Sequence, residues 1–125
     1  SMNKTVANRY QHEYDILKTT IDIVEEENVA LKTKLAVLVQ SNKLLPSRLV
    51  KAELLLSKLV KLDDTIRKYK KELKQHLIQC QQGGDNEKTS KSILVQEEKL
   101  QLGLDRIKTI FLEIKSNLEK FIELP

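Results

Sequence analysis

A chain of 125 residues has room for one domain, and 32% of its residues are charged while 40% are hydrophobic. Because the hydrophobic residues are plentiful and recur periodically, this composition excludes a disordered chain and favours long amphipathic helices. Tryptophan is absent and aromatic residues make up only 4%, so nothing indicates an aromatic-lined small-molecule pocket. The net charge of +4 permits an anionic partner but does not require one.

The location of the protein is indicated by what the sequence lacks. No apolar run approaches the length of a membrane span, and no signal peptide is recognisable. The only cysteine, Cys80, cannot form a disulfide framework and fits a reducing compartment. We therefore expect a single intracellular domain over residues 1–125, cytoplasmic or nuclear, in which Cys80 is a small buried hydrophobe.

A first helix is predicted over residues 4–42, because its apolar residues alternate in steps of three and four. Asn28 and Asn42 fall on this row, where a buried asparagine fixes register and partner number; for Asn28 the alternative is an outward orientation. Tyr10 and Tyr14 are expected either to close the end of the core or to contact a partner. The full row is Ala7, Tyr10, Tyr14, Leu17, Ile21, Val24, Asn28, Leu31, Leu35, Leu38 and Asn42.

The break before Pro46 predicts a reversal into a second helix over residues 46–82, with a kink in one continuous helix as the alternative. The second helix has a broad apolar stripe, which suits a helix with two neighbours. Nine of its residues are basic and four are acidic. Its row is Ala52, Leu55, Leu59, Leu62, Ile66, Tyr69, Leu73, His76 and Cys80.

A candidate basic interaction face lies on the second helix. Such a face could neutralise phosphates or bind acidic protein tails. No aromatic residues are interleaved with it and no DNA-binding motif is present, so pairing with acidic residues of the other helices is the favoured alternative. The face consists of Lys61, Arg67, Lys68, Lys70, Lys71 and Lys74.

After Gly83 the chain is polar, and residues 83–92 are predicted to be a flexible loop. A third helix follows over residues 90–124, with Gln96 or Glu97 at a weak core position and Gly103 at a close helix crossing. Its row is Ile93, Leu100, Leu104, Ile107, Phe111, Ile114, Leu118 and Phe121. Three matched stripes predict an all-α fold, an antiparallel three-helix bundle or coiled coil about 55 Å long.

No catalytic, cofactor-binding or metal site is predicted. His12 and His76 lie on different helices, and neither has ligands at metal-binding spacing. The glycine pair after residue 82 lacks the residues of a phosphate loop, and no serine or cysteine has an evident base.

These observations favour a non-catalytic helical module for protein–protein interaction, an adaptor or structural subunit of a cytoskeletal, kinetochore/centromere or tethering assembly. Its partners would be proteins, bound through helix packing, and self-association through helices exchanged between chains stays open. One alternative is a basic-face binder of nucleic acid or acidic tails. Another is a regulatory bundle in membrane traffic, because the layout resembles the three-helix bundles of SNARE proteins in outline.

Overall fold

The computed structural model describes residues 4–82 and 87–123, with side chains described for residues 9–82 and 88–123. This part of the chain forms three helices and no strand: α1 (Lys4–Gln40), α2 (Pro46–Gln82) and α3 (Glu87–Glu123). Each helix has 37 residues, which corresponds to about 55 Å. None of the helices of the described ranges is both long and apolar enough to cross a membrane.

The helices run antiparallel in sequence order, as contacts between distant residues show. Asp22 contacts Lys70 and Asn28 contacts Asp63, so residues later in α1 meet residues earlier in α2. At one end of the next pair, Arg48 of α2 lies against the last turn of α3. The α1–α2 and α2–α3 pairs pack extensively and α1–α3 least. The predicted all-α three-helix bundle is confirmed.

The turn after α1 corrects one boundary and one predicted core position. The helix ends at Gln40, where the backbone N–H and hydroxyl of Ser41 both donate to the carbonyl of Leu38 (3.3 and 2.6 Å). Asn42 has a φ of 57° and is exposed. The prediction that Asn42 is a core residue of a helix reaching residue 42 is therefore wrong, because a left-handed residue after the last turn ends the helix.

Pro46 starts α2 and does not kink a continuous helix. The backbone N–H of Leu49 donates to the carbonyl of Leu45 at 2.8 Å, so the hydrogen-bonded ladder of α2 begins beside Pro46. Proline suits this first position, because the N–H it lacks would have no helical acceptor there. The predicted reversal is confirmed.

The start of α3 corrects a second boundary. The helix begins at Glu87, so residues 87–92 of the predicted loop 83–92 are helical, whereas residues 83–86 lie outside the described residues. The prediction relied on the absence of apolar residues. However, the first turns of a helix need no apolar face, and an acidic residue at its N-terminus is favoured by the helix dipole. The described helix ends at Glu123, and residue 124 is not described.

The core lies where the three apolar rows meet. The nine buried residues of α2 are the nine of its predicted row. On α3 the two candidates for the weak position, Gln96 and Glu97, are both half-buried, as are Tyr14, Leu31 and Leu38 on α1. The buried residues of the other two helices are Tyr10, Leu17, Ile21, Val24, Asn28, Leu35, Ile93, Leu100, Leu104, Ile107, Phe111, Ile114, Leu118 and Phe121.

Gly103 lies against the ring of Tyr69, where α3 crosses α2. A Cβ at this position would stand 3.5 Å from Cε2 of the ring, an ordinary van der Waals distance. Alanine would therefore fit at this position, and the close helix crossing at Gly103 stays a prediction. Burial raises the pKa of Tyr69 to about 12, with a smaller contribution from Asp105 and Glu72.

Candidate functional site

Asn28 is a core residue that joins α1 to α2. Its side chain is fully buried, and its amide nitrogen donates to the carbonyl of Leu59 at 3.2 Å and to the carboxylate of Asp63. The other carboxylate oxygen of Asp63 accepts from Lys32. Asn28 therefore points into the core and not outward. Its hydrogen bond to Asp63 forms only when α1 and α2 pack in this register, so it helps to specify that register.

Lys70 belongs to the same α1–α2 seam, although the sequence placed it on the candidate basic face. Its ammonium lies 2.9 Å from Oε1 of Glu25 and 3.3 Å from Oδ1 of Asp22. The hydrogen bond with Glu25 raises the pKa of Lys70, and the hydrogen bond with Lys18 lowers the pKa of Asp22. Lys70 thus neutralises acidic residues of α1 and is not available to a partner.

The rest of the candidate face stays exposed on the outside of α2. We call Lys61, Arg67, Lys68, Lys71 and Lys74 the outer basic face. Arg67 pairs with Asp64 at 3.0 Å, but both side chains are largely exposed, so this pair contributes little. The four lysines take part in none of the ion pairs found among the described residues.

A groove between α2 and α3 was not predicted. Two adjoining cavities of about 360 and 280 Å³ share Lys58 and Asn117 and together form what we call the basic groove. Its lining contains five basic residues and one acidic residue, Glu113. The basic residues are Arg48, Lys51, Lys58, Lys61 and Lys120, and the apolar ones are Leu54, Leu55, Leu62, Ile110, Ile114 and Phe121.

The charges beside this groove differ from those of the α1–α2 seam. In the α1–α2 seam lysines meet carboxylates across the helices. Between residues 47–72 of α2 and 96–121 of α3, by contrast, no ion pair crosses among the described residues. One feature of the sequence could have pointed to the groove: Lys51 and Lys58 are seven residues apart and therefore lie on the same side of α2. The sequence does not show, however, that Lys120 of α3 lines the same groove.

One end of the basic groove is held in place by Arg48. Its guanidinium carbon lies 4.4 Å from the centre of the Phe121 ring, and its Nη2 donates to the Phe121 carbonyl at 2.7 Å. A cation over an aromatic face is attracted by the ring quadrupole. This contact fixes α2 against the last turn of α3 and orients one basic group of the groove.

A row of apolar residues runs along the outside of α1. Ile16, Ile23, Ala30 and Val37 recur every seven residues, and all four are exposed. The exposed fractions of the isoleucines are 47% and 52%, and that of Val37 is 62%. We call these four residues the outer apolar row. It was not predicted, because it has the same seven-residue repeat as the inner row and only the inner row was assigned to a face of the helix.

A cluster of polar groups is buried at the end of the bundle where α1 begins. Tyr10 packs with Cys80 and Ile93 and so closes this end of the core. This is the first of the two roles predicted for it, the second being contact with a partner. The Sγ of Cys80 lies 3.6 Å from Nε2 of His76. Burial lowers the pKa of His76 and raises that of Cys80, so both groups are held neutral and the thiolate needed for nucleophilic chemistry is disfavoured.

The same end of the bundle contains Glu97, which does not complete a metal site. Burial raises the pKa of its carboxyl, and the nearby Glu13 raises it further. Among the described residues, no group of three or more histidine, cysteine, aspartate or glutamate side chains is placed to hold a metal ion. His12 is exposed on α1.

We expect the stability of the protein to fall as the pH is lowered from 7.5 toward 5, and to fall less in His76→Leu. The folded state lowers the pKa of His76, so below about pH 6.5 the unfolded chain takes up the proton first. The contribution of neutral His76 is therefore complete above pH 6.5 and is lost as the pH falls toward the folded pKa. Urea unfolding of both proteins at several pH values measures it.

Glu97 acts in the opposite direction, because its raised folded pKa makes the folded state the first to take up a proton as the pH falls. Since both proteins contain Glu97, the difference between their pH profiles isolates His76. Profiles that run parallel between pH 7.5 and 5 would contradict the assignment.

No family model, no curated protein and no solved structure matches the chain. The structure itself defines a class of architecture, the all-α three-helix bundle.

Proposed function

We propose that this chain is a non-catalytic helical interaction module, an adaptor or structural subunit of a larger intracellular assembly such as a cytoskeletal, centromeric or tethering complex. The observation that carries the proposal is the outer apolar row of α1. A helix that only had to cover its own core would present polar residues on this face. Four apolar residues in heptad register are instead left in contact with water.

The geometry of the outer apolar row suits a partner helix. Ile16 and Val37 are 21 residues apart, which corresponds to about 32 Å along α1. Thr19, Glu26 and Thr33 lie between successive members of the row, and two of these three residues are uncharged. A repeat of seven keeps a row aligned with a neighbouring helix that coils around it, so the row favours helix-on-helix docking.

The buried polar cluster supports the non-catalytic part of the proposal. His76 and Cys80 are 4% and 7% exposed and are both held neutral, so a substrate would reach neither a thiolate nor a free base. The surface features, in contrast, are a row, a face and a groove on long helices. Surfaces of this kind are used for binding rather than for chemistry.

The experiment compares two matched double variants of the tagged chain expressed in its own cells. Ile23→Lys with Val37→Lys alters the outer apolar row, and Val95→Lys with Leu102→Lys alters α3 at residues that are 59% and 66% exposed. We expect at least a tenfold loss of stoichiometrically co-purifying protein in the first variant only, measured by quantitative mass spectrometry. All four positions are exposed, so both variants should fold.

Two outcomes would contradict the proposal. One is the absence of any stoichiometric partner of the unmodified chain, and the other is an equal loss in both variants. Circular dichroism and melting of each variant establish that the bundle is intact, so a loss of binding can be assigned to the surface.

A second candidate function is that the outer basic face binds nucleic acid or acidic protein tails. Its support is that four lysines on one side of α2 form no ion pair among the described residues. Such binding would weaken steeply with salt, because each neutralised phosphate releases counterions. The variant Lys68→Glu, Lys71→Glu measures how much of any such binding depends on the outer basic face.

A further inference from the structure

We infer that the basic groove binds an acidic amphipathic helix of a partner protein. The helix would place its apolar residues along Leu54 and the floor of the groove, and its carboxylates between the lysines of the two rims. The basic groove is separate from the outer apolar row of α1, so this inference stands or falls independently of the proposed function.

The dimensions of the basic groove fit a helical segment. It follows α2 from Ser47 to Thr65, a span of 18 residues or about 27 Å, which matches five turns of helix. Leu54 is 57% exposed and Ile110 is 38% exposed, so the groove offers apolar side chains that the core leaves uncovered. Covering them removes apolar surface from water, which favours binding.

The charge of the groove selects an acidic partner. Arg48, Lys51 and Lys58 of α2 line the same cavity as Lys120 of α3, and Lys61 lines the adjoining one. The four lysines are exposed and form no ion pair among the described residues. Five cations against Glu113 repel one another, and carboxylates placed between them would relieve that repulsion and speed the encounter.

The groove is also partly preorganised. Arg48 is held both by the ring of Phe121 and by the Phe121 carbonyl, so its guanidinium does not have to be ordered when a ligand binds. A binding site whose groups are already in place loses less conformational entropy on association.

A protein helix fits this site better than nucleic acid. The aromatic residue of the groove, Phe121, is 5% exposed and lies beneath Arg48, so it offers no face on which a base could stack. An apolar floor between the basic rims adds nothing to contacts with a phosphate backbone. It does suit the apolar face of an amphipathic helix, whose Asp and Glu residues would flank that face.

The test uses a fluorescent 18-residue peptide with leucine at alternating third and fourth positions and glutamate elsewhere. Its binding to the full chain is followed by anisotropy in 0.15 M salt and by ¹⁵N–¹H spectra. We expect saturable binding with shifts confined to residues 47–65 and 110–121, and at least tenfold weaker binding to Lys58→Glu, Lys120→Glu. The matched control, Lys68→Glu with Lys71→Glu, changes the net charge equally and should bind within about threefold of the unmodified chain.

Several outcomes would overturn the inference. Absence of saturable binding up to 1 mM would do so, as would equal binding of a sister peptide in which glutamine replaces glutamate. Equal weakening by the two variants would mean that charge alone attracts the peptide. A 20-nucleotide strand that binds through Lys58 and Lys120 and displaces the peptide would reassign the groove to nucleic acid. If light scattering shows that the unmodified chain is a dimer and that Lys58→Glu, Lys120→Glu is a monomer, the groove binds a second copy of this chain.

Discussion

Replacing Phe111 with alanine is expected to lower the free energy of unfolding by about 3–5 kcal/mol. The Phe111 side chain is 2% exposed and is among the largest fully buried side chains of the bundle. Its removal loses apolar burial and leaves a void in the core cluster to which it belongs, and the packed helices cannot close this void without disturbing their other core contacts. Urea unfolding followed by circular dichroism measures the change.

The effect is large relative to the whole, because domains of this size are stable by only about 5–15 kcal/mol. Leu112→Ala is the control on the same helix: its side chain is 58% exposed, and its truncation should change stability by about 0.5 kcal/mol or less. If the two alanine variants unfold at the same urea concentration, the apolar row of α3 that contains Phe111 does not face the core, and the structure is contradicted.

The second large effect is expected from replacing Asn28 with aspartate, which should cost about 3 kcal/mol or more at pH 7. Asn28 is fully buried and its amide nitrogen donates to Asp63. A carboxylate there would lose this donor and face the carboxylate of Asp63, which is already paired with Lys32. Stability should be partly regained at acid pH, where the new carboxyl is protonated. Urea unfolding at pH 7 and pH 4.5, relative to the unmodified chain, measures both.

A second variant, Asn28→Leu, tests whether the hydrogen bonds of Asn28 add to stability. Asn28 also has a buried Oδ1 with no hydrogen-bond partner among the described residues. Leucine removes this unsatisfied atom while leaving the Lys32–Asp63 pair in place, so stability should stay within about 1 kcal/mol of the original. A large loss in Asn28→Leu, comparable to that of the aspartate variant, would show that the hydrogen bonds of Asn28 stabilise the bundle rather than specify its register.

The two seams of α2 suggest a division of roles within the bundle. The α1–α2 seam is closed by charges that match, namely Lys70 with Asp22 and Glu25, and Lys32 with Asp63. The α2–α3 seam has five basic residues and one acidic residue, Glu113, beside an apolar floor. The first seam therefore contributes to the fold, whereas the second leaves charge and apolar area available for binding.

The reversal at Pro46 and the membership of the core could be predicted from sequence. Both depend on local chemistry: proline cannot continue a helical hydrogen-bond ladder, and a heptad row faces whatever the helix packs against. The nine buried residues of α2 were obtained from spacing alone. Tyr10, which the spacing also placed on a row, is buried with Cys80.

The boundaries and Asn42 were predicted less well, for a physical reason. Asn42 continues the spacing of the apolar row, but α1 ends at Gln40 and Asn42 has a positive φ. The sequence pattern therefore extends two residues past the end of the helix. At the start of α3 the opposite happened, because the helix reaches back to Glu87 through residues that have no apolar row. Helix ends are decided by capping and turn geometry, which periodicity does not report.

The sequence by itself determined three helices, their reversals and the side of each helix that is buried, since these follow from a repeat that each helix contains within itself. Only the tertiary structure decided which charges are satisfied. Lys70 and Lys58 look alike in the sequence, yet Lys70 meets carboxylates of α1, whereas Lys58 lines the basic groove and forms no ion pair among the described residues. Pairing depends on which residue of a neighbouring helix lies within a few ångströms, and that is set by how three helices pack together.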